Sequence, residues 1–438
     1  MTRTDFSSAL LREQYVRLVH SSGLPIYVFP KKMTTAYAYF AVRYGSQDCE
    51  FQGADGKTVC IPDGVAHFLE HKLFENEDGS DAFAAFAKLG ADANAYTSYD
   101  RTVYLCNCTE RYEETLAELL YFVTHPHFTK ESVKKERGII AEEIRMYEDN
   151  PWERCFQNLL KALYVKHPMR KNICGTQGSI KKITPELLYD CYHRFYTPDN
   201  MVLIVCGDVT PEAVLAVADK TLPAEFKQGK AFVRCLPEEP YAVRQSEIEH
   251  SMSIAKPIYA IGIKEYVSET ATPQERLRQA FCRAMLDEIL FSRSGRFYND
   301  LFERGILTPS YSTGYSVGDG FAFYCLEGEA EDPKLVLEEL KRYLDGVMQL
   351  GIAEEDFERA RRVLYADEIC TYDSTEEITG RLLTFAFDGT NLFDCPDVLQ
   401  SITKEELEQL VRKTFDPSCF AISVIQPIGD KSSKKEDF

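Results

Sequence analysis

The sequence predicts a mixed α+β fold built from two homologous α/β halves, each of them a mostly antiparallel sheet packed with helices. The chain has 438 residues, enough for two or three domains of ordinary size. A segment that begins at Ile183 aligns with one that begins at Ile402, and identical residues recur at a constant offset of 219. Both segments predict a helix opened by a threonine cap, a turn at a proline and an apolar strand. Since the offset is half the chain length, the repeat indicates two similar halves.

The other elements follow the same order in both halves. Each half begins with strand patterns, continues through several helices and closes with the repeated strand. The predicted domains are an N-terminal half at 1–222, a linker at 223–246 and a C-terminal half at 247–438. In the first half we expect strands over 25–29, 36–44 and 94–108, and helices over 82–89, 110–123, 130–148, 151–164 and 185–195. In the second half we expect a strand over 253–263, a hairpin around Gly318 and Gly320, and helices that begin near 273, 332, 354, 374 and 403.

Composition excludes several classes of protein. Lys and Arg total 50 and Asp and Glu total 69, so the net charge of −19 has the wrong sign for binding nucleic acid. No apolar run approaches the roughly 20 residues that a membrane helix needs, and the first residues do not form a signal-peptide pattern. We therefore expect a cytoplasmic protein that binds neither nucleic acid nor membrane. In that compartment the 14 cysteines are expected to be reduced thiols.

The pattern H-x-x-E-H is the clearest chemical motif in the chain. It comprises His67, Glu70 and His71 on a helix that Asp63 and Gly64 open. Residues at i, i+3 and i+4 project from one face of a helix. Two imidazoles at this spacing suit one Zn²⁺, and the carboxylate beside them suits a general base. The surrounding residues are mostly apolar, so burying these polar groups without a shared partner would be costly.

A zinc site of this kind needs a third protein ligand. The helix over 131–146 is the best source, because Glu136, Ile140 and Glu143 recur on one face. Glu143 is therefore placed to bind the metal, and Glu136 to orient one of its ligands. Glu148 lies more than a turn further along, and spacing alone does not decide between Glu143 and Glu148.

At this point the chain resembles the inverzincin metallopeptidases of the pitrilysin and insulin-degrading-enzyme type, a family that includes the mitochondrial processing peptidase. The resemblance covers nearly the whole chain and is closest to a bacterial subgroup. Besides H-x-x-E-H it rests on ERGIIAEE at 136–143, GADANAYTSYDRTVY at 90–104, KHPMRKNICGT at 166–176 and FYTPDNMVLIVCGD at 195–208.

The resemblance implies a role for each of these residues. One zinc ion would be held by His67, His71 and Glu143, which decides for Glu143 over Glu148. It also implies that Glu70 is the general base and that Glu136 is a supporting carboxylate. The resemblance further implies an edge that pairs with the substrate backbone, formed by Asn94, Ala95, Tyr96 and Thr97.

The second half has lost the metal ligands. Aligning LEHKLF at 69–74 with LDEILF at 286–291 places Ala284, Asp287 and Glu288 opposite His67, Glu70 and His71. We therefore expect one zinc ion per chain. In the family, an arginine and a tyrosine of this half commonly help to hold the substrate. Here Phe302 stands where the arginine is expected, and Tyr311 is the remaining candidate for substrate binding.

These features predict a zinc endopeptidase that hydrolyses short or unfolded peptides inside a chamber. Members of the family close that chamber with four half-units, and this chain has two. The resemblance therefore implies a homodimer, or a heterodimer with a related inactive chain. Two alternatives stay open: a non-catalytic assembly or processing subunit of the same fold, and a zinc-dependent module that binds peptides without cleaving them.

Overall fold

The computed structural model describes residues 2–53, 56–227, 229, 232–266 and 270–428. Its strands are β1 (Thr2–Ser8), β2 (Glu13–Val19), β3 (Pro25–Pro30), β4 (Ala36–Val42), β5 (Glu50–Gln52), β6 (Thr58–Cys60), β7 (Asp92–Thr97), β8 (Thr102–Cys108), β9 (Met201–Gly207), β10 (Val233–Arg234), β11 (Glu247–Met252), β12 (Ile258–Glu265), β13 (Ser312–Gly318), β14 (Phe321–Glu329) and β15 (Phe420–Pro427). Its α-helices are α1 (Val65–Leu73), α2 (Ala82–Leu89), α3 (Tyr112–Thr124), α4 (Lys130–Asp149), α5 (Pro151–Leu163), α6 (Gln177–Ile180), α7 (Pro185–Phe195), α8 (Pro211–Thr221), α9 (Pro273–Leu290), α10 (Arg296–Glu303), α11 (Pro333–Leu350), α12 (Glu354–Cys370), α13 (Thr375–Asp388), α14 (Cys395–Ser401) and α15 (Lys404–Thr414). None of the helices in the described part of the chain combines the length and the apolar composition that crossing a membrane requires.

The chain forms two compact units, and both are discontinuous in sequence. The first unit comprises residues 1–144, 172–236 and 365–397, and the second comprises 145–171, 237–364 and 398–438. Helix α5 packs on β12 and β15 of the second unit, and α13 packs on β4 and β9 of the first. The bounds of these units differ from the linear domains expected at 1–222, 223–246 and 247–438. Those linear domains describe the repeat in the sequence, and they stay a prediction.

A seven-stranded sheet organises the first unit, in the order β1-β2-β3-β9-β4-β8-β7. All its pairings are antiparallel except that of β3 with β9. Strand β9 is buried throughout, as its sequence MVLIVCG requires. The hairpin of β1 and β2 was not predicted, because β1 is mostly exposed and carries charged residues that hide the apolar alternation.

A five-stranded sheet organises the second unit and repeats the topology of the first. Its order β11-β15-β12-β14-β13 corresponds to β3-β9-β4-β8-β7, and the pairing of β11 with β15 is again parallel. The predicted hairpin around Gly318 and Gly320 is the turn between β13 and β14. The predicted strand over 253–263 is wrong at its start, because β11 ends at Met252 and β12 begins only after Pro257. The predicted fold class of two α/β halves is confirmed.

The repeated segment is confirmed in detail. Helix α7 and helix α15 differ by 219 positions at both ends, as do β9 and β15 at their first residues. Thr184 caps α7 by accepting a hydrogen bond from Leu187 N, and Thr403 caps α15 by accepting one from Glu406 N. The threonine hydroxyl satisfies a backbone donor that the helix leaves unpaired, which explains why the cap recurs.

The stretch predicted as a linker is ordered on both sides of the unit boundary. In the first unit, Arg234 on β10 forms an ion pair of 2.7 Å with Asp48. In the second unit, Glu239 forms a buried ion pair of 2.7 Å with Lys264 and accepts hydrogen bonds from three backbone amides at 165–167. Residues 228, 230 and 231 of the predicted linker lie outside the described residues.

Candidate metal centre

Helix α1 carries the H-x-x-E-H residues and lies inside the first unit. Gly64 precedes the helix with φ of 94°, a left-handed conformation that favours glycine. His67 and Glu70 are buried, with only 7% and 9% of their surfaces exposed. The rings of His67 and His71 lie 4.5 Å apart between centroids, one turn from each other on the same face. The sequence pattern therefore brings two imidazoles and a carboxylate into a largely apolar environment.

Helix α4 brings Glu143 to both imidazoles. One oxygen of Glu143 lies 3.5 Å from His67 Nε2, and its other oxygen lies 3.5 Å from His71 Nε2. Two donor atoms bound to one tetrahedral zinc at about 2.0–2.1 Å are about 3.4 Å apart. The distance from Glu143 to each imidazole, and the chemistry of the three side chains, therefore suit a zinc ion. Glu148, the alternative on the same helix, is exposed.

Glu136 contacts the outer nitrogen of one imidazole. Its Oε1 atom lies 3.0 Å from His71 Nδ1, the ring nitrogen that does not face Glu143. Burial alone would lower the pKa of His71, but the hydrogen bond to Glu136 and the nearby carboxylates outweigh it and raise that pKa. The bond also fixes the ring so that Nε2 points toward Glu143.

Thr97 holds the carboxylate of Glu70. The Thr97 hydroxyl donates a 2.8 Å hydrogen bond to Glu70 Oε2. Thr97 is the last residue of β7, and helix α1 packs against β7 and β8. One oxygen of Glu70 is thereby fixed, and the direction of its side chain is set by the sheet.

Strand β7 contains the residues expected to pair with a substrate backbone. It is the outermost strand of its sheet and pairs with β8 alone among the described strands. Its burial alternates residue by residue, and Tyr96 is 41% exposed. The Asn94 side chain accepts a 2.8 Å hydrogen bond from Ala95 N. A strand with one open edge is suited to adding a further strand.

Cys174 is the one residue at this centre that the sequence analysis did not single out. Its thiol sulfur lies 3.8 Å from His67 Nε2, and it is 4% exposed. Among the described residues, donor atoms of His67, Glu143 and Cys174 all lie within 4.8 Å of one another. The segment KNICGT was recognised only as a resemblance, and nothing in its spacing relative to H-x-x-E-H indicates that its cysteine reaches the histidines.

Comparison with known proteins identifies the family of this chain. Residues 62–177 match the family model described as insulinase, peptidase family M16, and residues 182–364 match the model described as the peptidase M16 inactive domain. The chain is 36% identical to uncharacterized zinc protease YmfH of Bacillus subtilis, over 93% of this chain and 95% of that protein. The chain belongs to the M16 peptidase family.

Solved structures share the fold of this chain. A putative M16-like peptidase from Alicyclobacillus acidocaldarius superposes with a TM-score of 0.89 at 33% identity, over 94% of this chain and 97% of that one. A protease from Helicobacter pylori superposes with a TM-score of 0.80 at 16% identity, over 95% and 100%. The second likeness shows the fold alone.

Within the described residues of the second unit, Ala284 and Glu288 stand where the first unit has its histidine pair. Asp287, opposite Glu70, accepts a 2.7 Å hydrogen bond from the Thr313 hydroxyl, a contact of the same kind as that of Glu70 with Thr97. Glu288, opposite His71, is instead paired with Arg359. Burial raises the pKa of Asp287 to about 6. This matches the description of the second model as an inactive domain.

Tyr311 corrects one expectation of the sequence analysis. This tyrosine was predicted to contact substrate, but it is completely buried in the second unit, and its hydroxyl donates a 2.7 Å hydrogen bond to the Phe291 carbonyl. Phe302, the residue in place of the expected arginine, is 43% exposed. The environment of Tyr311 is that of a core residue and does not suit a substrate contact.

Proposed function

We propose that this M16 chain is a zinc-dependent endopeptidase that hydrolyses short or unfolded peptides. The observation that carries the proposal is that Glu143 lies 3.5 Å from the Nε2 atoms of both His67 and His71, with Glu70 buried on the same helix as the two histidines. The two histidines and Glu143 would hold the metal. When bound, a zinc ion polarises the scissile carbonyl group and lowers the pKa of a water molecule.

Glu70 is the proposed general base. It accepts a proton from the attacking water and later delivers that proton to the leaving nitrogen. The hydrogen bond from Thr97 occupies one carboxylate oxygen, so the other oxygen is the one that takes the proton. Because Thr97 also ends β7, the position of the base is tied to the strand proposed to bind substrate.

Strand β7 is the proposed docking site for the peptide. An extended peptide would add to its open edge through backbone hydrogen bonds, which accept many side-chain sequences. The Ala95 amide at this strand already bonds to the Asn94 side chain, which a peptide carbonyl would replace. This arrangement favours extended, unfolded segments over folded substrates.

Enclosure of the peptide is proposed to need a second chain, either another copy of this one or a related inactive chain. The proposal rests on the two half-units present here, against the four that the resemblance to the family implies. Size measurement of the purified chain, alone and mixed with a related chain from the same organism, tests it directly.

The test of the chemistry is Glu70→Gln. The amide has nearly the size of the carboxylate but does not accept a proton, so turnover of a quenched peptide library should fall by about 10²- to 10⁴-fold. The zinc content should stay at one ion per chain, and the melting temperature should change little. Asp287→Asn is the matched control, since it makes the same change at the equivalent position of the second unit and should keep full activity.

Three results would count against the proposal. Unchanged turnover in zinc-loaded Glu70→Gln removes Glu70 from the mechanism. A parent chain that binds zinc and captures peptides but cleaves none, alone or with a related chain, is a peptide-binding module. A parent chain that binds neither zinc nor peptide is an assembly subunit with the M16 fold.

A further inference from the structure

The sulfur of Cys174 stands where a further metal ligand would stand. A zinc ion with a sulfur at about 2.3 Å and a nitrogen at about 2.0–2.1 Å in tetrahedral geometry separates these two atoms by about 3.6 Å. The observed distance from Cys174 Sγ to His67 Nε2 is 3.8 Å. A carboxylate oxygen of Glu143 lies within 4.8 Å of both atoms. Three donors from three separate segments therefore converge on one point.

The backbone around Cys174 is tightly placed against the start of α1. A Cβ atom added at Gly64 would lie 2.5 Å from the Cys174 carbonyl oxygen, and one added at Gly175 would lie 2.4 Å from the Asp63 carbonyl oxygen. The Cys174 amide donates a 2.9 Å hydrogen bond to the side chain of Asn172. Two glycines thus let the segment approach the helix so closely that the thiol reaches the first histidine.

The two nitrogens of that histidine have different surroundings. His67 Nδ1 is buried and has no hydrogen-bond partner among the described residues, whereas Nε2 faces both Cys174 and Glu143. A buried imidazole is costly unless its polar atoms are satisfied. A cation bound to His67 Nε2 would lie next to the sulfur of Cys174 and the carboxylate of Glu143.

We propose that Cys174 is a fourth protein ligand of the metal in the resting protein. The inference rests on the proposed metal site and extends it. Thiolate is a strong zinc ligand, and the thiol proton leaves to solvent when the bond forms. Three protein ligands leave a position open for chemistry, whereas four close it, so the resting site is latent.

Cobalt substitution tests this without relying on turnover. A Co²⁺ ion bound by a thiolate shows intense sulfur-to-metal charge-transfer absorption in the near ultraviolet, and one bound only by nitrogen and oxygen does not. We expect this absorption in the parent chain at one Co²⁺ per chain. Cys174→Ala should lose the absorption while keeping one bound Co²⁺ and its weaker visible bands. Cys206→Ala, which removes a buried thiol of β9 that is not in the cluster, should keep the absorption.

The possible results separate this inference from the proposed function. One Co²⁺ bound without charge-transfer absorption in the parent overturns the role of Cys174 and leaves the proposed metal site intact. Absorption that persists in Cys174→Ala also overturns that role, because another thiol is then the source. A parent chain that binds no Co²⁺ overturns both. Absence of the absorption from the parent chain overturns the role of Cys174 whatever the stability of the variant.

Discussion

Two carboxylates of α4 should affect metal binding to very different extents. Glu143 lies 3.5 Å from both imidazole Nε2 atoms, whereas Glu136 contacts only His71 Nδ1, at 3.0 Å. Glu143→Gln removes the carboxylate that faces both imidazoles, so zinc should not be retained against a chelator. Glu136→Gln keeps a neutral acceptor at the same place and loses only the charge of the hydrogen bond.

The magnitude of the Glu136 effect follows from that bond. A hydrogen bond to a charged group contributes about 1.5–3 kcal/mol and a neutral one about 0.5–1.5 kcal/mol. The midpoints of these ranges differ by about 1.3 kcal/mol, which predicts a Kd about eightfold higher for Glu136→Gln. Glu136→Leu removes the acceptor altogether and should weaken Kd by about 100-fold. Competition with a chromophoric chelator at constant pH measures both values.

The pH dependence provides a second readout. Burial opposes protonation of His71, but the Glu136 bond outweighs it and raises the pKa of His71 in the metal-free chain. Zinc must displace that proton, and the proton is held more tightly in the parent than in Glu136→Gln. The affinity advantage of the parent should therefore shrink as the pH falls through the His71 pKa. A purely structural role of Glu136 would give a difference that does not vary with pH.

Glu142→Gln is the matched control for this series. Glu142 is exposed and points about 100° away from Glu143 around the helix. Its substitution should leave the zinc affinity within twofold, and a larger loss would mean that net charge near the site matters more than contact. Equal effects of Glu136→Gln and Glu143→Gln would refute the assignment of their roles.

Two further predictions concern stability. Gly64→Ala should lower the free energy of unfolding by more than 1 kcal/mol, because φ is 94° and the new Cβ would lie 2.5 Å from the Cys174 carbonyl oxygen. Gly138→Ala should raise the free energy of unfolding by about 0.5–1 kcal/mol, because this position is in an exposed part of α4 with no atom within 4 Å of the new Cβ. Urea titration checks both values, and equal effects would contradict the packing argument. Asp287 has a pKa raised to about 6, so its ionisation begins to destabilise the fold above about pH 4 and has its full effect above pH 6. Asp287→Asn should therefore raise the free energy of unfolding by about 1–3 kcal/mol at pH 8 and hardly change it at pH 4. The same gain at both pH values would contradict this prediction.

Much of the fold was predictable because its signals are local or repeated. Helix α7 lies where its threonine cap and apolar spacing place it, and α15 repeats it at the offset of the sequence repeat. The hairpin of β1 and β2 was missed, because exposed strands lack a clear apolar alternation. The assignment of α5 to the second unit and of α13 to the first was also missed. An amphipathic helix pattern shows that one face is buried but does not indicate which sheet buries it.

The prediction for Tyr311 failed for a related physical reason. A tyrosine in an irregular segment has the same local sequence whether its hydroxyl faces a ligand or a backbone carbonyl. Here the carbonyl of Phe291 accepts the hydroxyl proton and the ring is fully buried. A match to a family motif identified the residue, and only the packing around it shows that it belongs to the core.

The sequence by itself determined the histidine pair and its carboxylate, because three residues within five positions of one helix share a face whatever the rest of the chain does. It also determined the twofold repeat and the loss of ligands from the second copy. The approach of Glu143 and Cys174 to the same imidazole depended on the tertiary structure, since these residues lie 76 and 107 positions beyond His67. Contacts between distant segments depend on how helices and loops pack, and that information is spread over the whole core.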